Sequence, residues 1–272
     1  MDIKDVHAIM EKICAKMPFY NEAQFQLEFA LAVKEEDENA EIVLEAYYEK
    51  REESRSEEES AENEQEASNE SGFKTRKNYT DIVIYDKRSG DYVAVELKYA
   101  LTDGGGKGEK RNAYTNVNGD TITVAKKGAI DNCRYDFLWD VHRLEELADG
   151  QWKYESACLN NFVAGYAILI SNANKMWEQC RVEEERDSKK KLNNDNNFRI
   201  GDNSNTGSTS PVKLDWRGGS HTTRPGFELK NHYTFVWGDE NKTYFKDVDE
   251  KRKSPEFRYL VVKVEKTSDK EN

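Results

Sequence analysis

YTDIVIYDKRSGDYVAVELKY, residues Tyr79 to Tyr99, reads as two short apolar strands around a polar turn. The same stretch carries Asp81, Glu96 and Lys98. If Lys87–Gly90 makes a four-residue turn, Tyr85 lies opposite Tyr92 and Asp81 opposite Glu96. Directly opposed residues share a sheet face, roughly 5 Å apart at Cβ. Lys98 is two residues beyond Glu96, so it shares that face as well. Ile82, Ile84, Val93, Val95 and Leu97 take the other face. A slip of one residue would undo this arrangement.

Two carboxylates so close repel one another, and one takes up a proton unless a cation joins them. A hard divalent cation such as Mg²⁺, with Mn²⁺ as a substitute, suits oxygen donors and keeps positions open for water and phosphate. It can polarise a phosphoryl oxygen and acidify a bound water. The neighbouring lysine can orient or deprotonate that water, or balance charge developing on the phosphate.

The flanking sequence supplies layers for this hairpin. Val6, Ile9, Ile13 and Met17 recur at helical spacing before Pro18. Asn21 has the chemistry of an N-cap, and NEAQFQLEFALAV continues as a second helix. EIVLEAYYE (41–49) predicts a strand, and Thr121–Val124 a short one. GAIDNCRYDFLWDVHRLEELADG keeps a helical period up to Gly150, where a helix would stop. NFVAGYAILISN predicts a strand buried on both faces. HYTFVWG and FRYLVVKVE predict two late strands. The order helix, three strands, helix, strand implies an α/β layered domain with a mixed central sheet flanked by helices.

Asp81 on one strand with Glu96-Leu97-Lys98 on the next resembles the PD-(D/E)xK nuclease superfamily, an uncharacterised bacterial branch included. The resemblance implies a restriction-endonuclease-like core of order αβββαβ over about residues 20–172. It implies metal ligation by Asp81, Glu96 and the Leu97 backbone carbonyl, with Lys98 at the attacking water. Many members add a glutamate from the first core helix, and Glu28, with Phe25, Leu27, Phe29 and Leu31 around it, is the expected counterpart. Thr80 stands where the family name implies proline. The implied activity is Mg²⁺-dependent hydrolysis of nucleic acid, DNA favoured over RNA, in restriction, defence or repair. A non-catalytic nucleic-acid-binding module on the same fold and an RNA-cleaving enzyme remain open.

The chain has 272 residues, of which 36% are hydrophobic and 35% charged, enough for a single domain diluted by polar insertions. No apolar run reaches membrane-spanning length, and the N-terminus lacks a signal-peptide pattern, so a soluble cytoplasmic protein is expected. The formal charge of −12 argues against a nucleic-acid partner until its distribution is read. Residues 51–70 hold nine Glu and two Arg, net −7, which leaves −5 for the remainder. That tract begins an acidic insertion, about 51–72, expected to be disordered. Residues 183–225 are polar and expected to be loop-like, with added strands over about 230–266. Cys14, Cys133, Cys158 and Cys180 are widely spaced, as for reduced cysteines. Neither they nor the scattered His7, His142, His221 and His232 fit a zinc pattern.

A basic surface has to be local. Lys107, Lys110, Arg111, Lys126 and Lys127 lie on the segment leaving the second hairpin strand, placed to meet a phosphate backbone. DGGGKGEK, within that segment, lacks the spacing of a phosphate loop. On the following helix, Arg134 is a candidate phosphate contact, whereas Asp136, Asp140 and Arg143 have the spacing of a salt-bridged face. A homodimer is compatible with the sequence but not readable from it.

Overall fold

The computed structural model describes residues 3–50, 79–101, 113–115, 119–123, 130–150, 152–154, 159, 161–178, 198–206, 211–216, 224–237, 242–244 and 256–266. Two helices, α1 (Ile3–Cys14) and α2 (Glu22–Glu36), precede the strands β1 (Glu41–Lys50), β2 (Tyr79–Tyr85) and β3 (Asp91–Ala100). The short strands β4 (Ala113–Thr115) and β5 (Thr121–Thr123) form a separate hairpin. Helix α3 (Ile130–Ala148) follows, then β6 (Trp152–Tyr154), β7 (Asn161–Ser171) and the single turn α4 (Asn174–Trp177). The chain ends with β8 (Val212–Leu214), β9 (Phe227–Leu229), β10 (Lys242–Tyr244) and β11 (Glu256–Glu265).

The central sheet has seven strands in the order β10-β11-β7-β3-β2-β1-β6. β1, β2 and β3 form an antiparallel meander; β3 and β7 run parallel, joined through α3; β11 returns antiparallel on β7. The hairpin register is the one read from the turn: Tyr85 opposes Tyr92 and Ile82 opposes Val95. Local chemistry sets it. The Asp86 amide donates to the Asp91 carbonyl (3.0 Å) and the Gly90 amide to the Asp86 carbonyl (2.9 Å). The Asp86 carboxylate accepts from the Arg88 amide at 2.7 Å. Gly90 closes the turn at φ +73°, where a side chain would be strained.

Strand alternation sends alternate residues into two cores. Ile82, Ile84, Val93, Val95 and Leu97 pack with Ile168 and Ile170 beneath α1 and α2. Val83, Tyr92 and Ala94 pack with Ala167, Leu169 and the buried face of α3. β7 is therefore buried on both faces, as its unbroken apolar run predicts. Asn21 caps α2, its side chain accepting from the Gln24 amide at 2.9 Å. α3 comes close to β7 at Gly165, where an added Cβ would lie 3.0 Å from Leu144 Cδ2.

The C-terminal third departs from expectation. HYTFVWG is no strand: Thr234 makes an isolated bridge to Asn205, and β9 lies earlier. Its aromatics nonetheless fill core, since Tyr233, Phe235 and Trp237 are buried against Phe198 and Ile200. The region 183–225 is therefore not all loop: its described parts include core residues and β8. Burial here is secured by scattered backbone bonds, such as the Phe235 amide to the Ser204 carbonyl at 2.9 Å, together with side-chain acceptors. Glu145 of α3 takes the amides of Lys230 and Asn231, both at 2.8 Å, and the Tyr233 hydroxyl at 2.9 Å. The acidic insertion lies outside the described residues.

Candidate active site

The site forms where the sheet loses regular pairing around Asp81. On one side, β1 pairs Leu44 with Ile82 and Ala46 with Thr80, and Glu45 between them turns to φ +52°. A left-handed glutamate costs about 1–2 kcal/mol. On the other side, the β2–β3 register ends at Ile82 and Val95. β3 continues along β7 to Ala100, so its amides facing β2 need other acceptors. Carboxylates supply them. Asp81 Oδ2 accepts from the Leu97 amide at 2.6 Å, and Glu22 Oε2 accepts from the Tyr99 amide at 2.8 Å. Gln26, one turn after Glu22, donates to the Asp81 carbonyl at 2.6 Å and to Glu45 at 3.1 Å. The Tyr99 hydroxyl accepts from the Phe19 amide (3.0 Å), pinning the start of α2 to the end of β3.

Helix α3 brings a second set of charges over the same strand. Lys98 Nζ lies 2.7 Å from Asp140 Oδ2, and it donates to the Leu97 carbonyl at 3.3 Å. Arg143 Nη2 lies 3.1 Å from Glu96 Oε1 and Nη1 lies 3.5 Å from Asp140 Oδ1. Arg143 also donates to the Tyr48 hydroxyl through Nε (2.6 Å) and to the Tyr79 carbonyl. Glu96 and Asp140 are only 1% and 3% exposed. Buried charges persist only when paired, and here the pairing is mutual.

The electrostatics follow from burial. Desolvation raises Asp81 to about 6, against the pull of Lys98 and with a push from Asp140 and Glu22. Glu96 is raised well above the ordinary carboxylate range, by burial first, with Arg143 opposing. Asp140 is raised for the same reason, with Lys98 and Arg143 opposing. Burial works to lower Lys98, but Asp140, Asp81, Glu96 and Glu22 more than reverse it, and the amine stays protonated. Four carboxylates, Asp81, Glu96, Asp140 and Glu22, thus face two cations, Lys98 and Arg143, in a poorly solvated place, a condition relieved by a bound proton or a further cation.

The structure brings together Asp81, Glu96, Lys98 and the Leu97 carbonyl. It does not bring in Glu28, which pairs with Lys16 at 2.9 Å. Phe25 and Phe29 beside it are buried but Leu27 and Leu31 are exposed, so only half of the apolar setting that singled out Glu28 belongs to the core. The helix carboxylate at the site is Glu22. Its sequence signal is the i,i+4 spacing to Gln26 on a helix that Asn21 caps at that end. Arg134 is not a phosphate contact either: it is 2% exposed, sits 3.7 Å from Asp131 and donates to the Lys175 carbonyl. Asp136 leaves the cluster for Arg224, at 3.1 Å. Lys107, Lys110, Arg111, Lys126 and Lys127 lie outside the described residues.

Asp81, Glu96 and the Leu97 carbonyl are the hard oxygen donors that Mg²⁺ prefers, and the raised carboxylates give a cation something to stabilise. Among the described residues, no three His, Cys, Asp or Glu side chains converge as a metal cluster. Two carboxylates and a carbonyl fit Mg²⁺ in donor type, with Glu96 at present directed to Arg143. No family model, curated protein or solved structure matches the chain. Among the described residues, no helix is long and apolar enough to cross a membrane.

Proposed function

We propose that this chain is a metal-dependent nuclease of the PD-(D/E)xK type, acting on DNA in preference to RNA. The observation that carries the reading is the hairpin register. It runs as far as Ile82 and Val95, and just past that end lie Asp81, bonded to the Leu97 amide, and Glu96 and Lys98, the latter donating to the Leu97 carbonyl. With the three-residue strands β4, β5 and β6 set aside, the element order α2-β1-β2-β3-α3-β7 supports it, matching the αβββαβ order of the restriction-endonuclease-like core. A restriction, defence or repair setting and a cytoplasmic location belong to the same proposal.

Asp81, Glu96 and the Leu97 carbonyl would hold Mg²⁺, which would supply Lewis-acid polarisation of the phosphoryl oxygen and an acidified water. Lys98 stays protonated among its carboxylates. Its role is therefore to orient water and balance negative charge on the phosphoryl group, and not to remove a proton. Asp140 fixes the Lys98 ammonium from α3. Glu22 holds the Tyr99 amide and adds negative charge beside Asp81 and Lys98.

A non-catalytic nucleic-acid-binding module draws on one observation: Glu96 with Arg143 and Lys98 with Asp140 balance charge without a metal. Incubation with supercoiled, linear and single-stranded DNA and with RNA, with Mg²⁺, Mn²⁺ or chelator, separates the readings. Metal-dependent cleavage of DNA is the expected result. Binding without cleavage under every condition would sink the nuclease proposal in favour of the binding module.

A further inference from the structure

Arg143 is held by more contacts than its pairing with Glu96 requires. Its Nε donates to the Tyr48 hydroxyl, Nη2 donates to the Tyr79 carbonyl and faces Glu96, and Nη1 faces Asp140. The guanidinium also lies against the Tyr48 ring, 5.5 Å from its centroid. Tyr48 is on β1, Tyr79 on β2, Glu96 on β3 and Asp140 on α3, so one side chain ties four elements together at the opening of the sheet. Glu96 Oε1 is fully buried and meets the guanidinium at ion-pair distance without an aligned hydrogen bond. A planar fork fixed by Tyr48 and Tyr79 cannot also reorient for Glu96. The carboxylate is therefore charge-balanced but not fully satisfied.

We infer that Arg143 is a positioning residue that acts as a built-in counter-cation for Glu96, which a divalent metal has to displace in order to load the site. This rests on the metal-site reading above. The guanidinium holds Glu96 at ion-pair distance and directed inward while no metal is bound, and it competes for the same carboxylate when metal arrives. Lys98 has a separate anchor in Asp140 and is not released by the exchange. Metal affinity in the intact protein is thus set partly on α3, by a residue outside the donor set.

The test is calorimetric titration of the full-length protein with Mn²⁺, in wild type and in Arg143→Gln. Removing a competing cation beside a carboxylate shifts its affinity for another by about tenfold or more. Arg143→Gln is therefore expected to bind Mn²⁺ about tenfold more tightly, and to gain more thermal stability from Mn²⁺ than wild type does. Equal or weaker binding by the variant, with wild type binding normally, would overturn the inference and leave the metal site standing. Absence of Mn²⁺ binding in both proteins would bring down the metal-site reading, and the inference with it. Removing one partner of a buried pair is costly, so Arg143→Gln can fail to fold. Tyr48→Phe then takes its place: it keeps the charge and frees Nε, so that the fork can turn to Glu96, and it is expected to weaken Mn²⁺ binding by about threefold, with unchanged or tighter binding overturning the inference.

Discussion

The Leu97 amide donates to the Asp81 carboxylate across 2.6 Å, where a backbone carbonyl would have stood had β2 and β3 gone on pairing. An acidic side chain has replaced a ladder partner. The site is consequently an opening in the sheet, and its charges are held by the surrounding frame.

That placement has a pH signature. Burial raises Asp81 from an ordinary value of 3.8 to about 6. The folded chain keeps a proton there that the unfolded chain has already released, so unfolding releases a proton between these values. Stability from this group is full below about pH 4 and is lost as pH rises to about 6, on the order of 3 kcal/mol. Asp81→Asn removes the titration and keeps an oxygen for the Leu97 amide. In chelator, urea unfolding should show the variant gaining about 2–3 kcal/mol relative to wild type between pH 4 and pH 7. A difference that does not change with pH would mean that Asp81 titrates alike in both states.

The hairpin could be read in advance because its turn and its two-residue period leave little freedom: fixing Lys87–Gly90 as the turn gives the register down to Ile82 and Val95, where pairing stops short of the expected Asp81–Glu96 pair. α2 was legible as a helix from Asn21 onward, but its rotation was not. Leu27 and Leu31 are apolar yet exposed, so apolar neighbours pointed to Glu28 while Phe25, Phe29 and Val33 were turning Glu22 towards β3. Arg143 and Asp140 were visible as a facing pair on α3. That they face the sheet depends on the approach of α3 to β7 at Gly165, a tertiary relationship without local signature. HYTFVWG misled for a related reason. Its aromatics are buried, but its backbone partners are scattered over Asn205, Ser204 and Asp202.

Metal binding and phosphoryl stabilisation should separate by mutation. Glu96→Gln is expected to weaken Mg²⁺ binding and cleavage together. Lys98→Met removes the ammonium but keeps an apolar stem, so metal binding should hold or strengthen. Its cleavage should fall about 10²–10⁴-fold, the scale for loss of a positioned charge-stabilising group. Magnesium calorimetry beside a DNA cleavage assay reads both quantities. Wild-type cleavage by Lys98→Met would make the amine structural.

Gly165 should be sensitive although it touches nothing at the site. An alanine Cβ there would lie 3.0–3.2 Å from three Leu144 carbons, and Leu144 adjoins Arg143. Overpacking of this kind costs about 1–3 kcal/mol. For a chain of this size that corresponds to a fall of roughly 2–10 °C in Tm. Gly165→Ala with Leu144→Ala should lose less than the two single variants together, because the new methyl fills part of the vacated space. Strict additivity of the three melting measurements would show that helix and strand do not press on each other here.

The two helix glutamates offer the sharpest contrast. Glu22 takes the Tyr99 amide at the open end of β3 and adds negative charge next to Asp81 and Lys98. Glu28 is engaged with Lys16 of the segment after α1. Glu22→Gln keeps an acceptor for the amide and removes the charge, so the fold should survive. With one carboxylate fewer beside them, Asp81 should ionise more readily and Lys98 should lose part of what keeps it protonated. A cation in that neighbourhood should then bind about 3–30-fold more weakly, the range for losing a nearby opposite charge that is partly screened. Glu28→Gln removes a half-exposed ion pair worth at most about 1 kcal/mol and should leave both metal affinity and cleavage as they are. Mn²⁺ titration and cleavage rates for the two single variants decide between them. If Glu28→Gln loses metal binding while Glu22→Gln keeps it, the rotation of α2 described above is wrong, and the helix carboxylate of the site is the one that the apolar pattern pointed to.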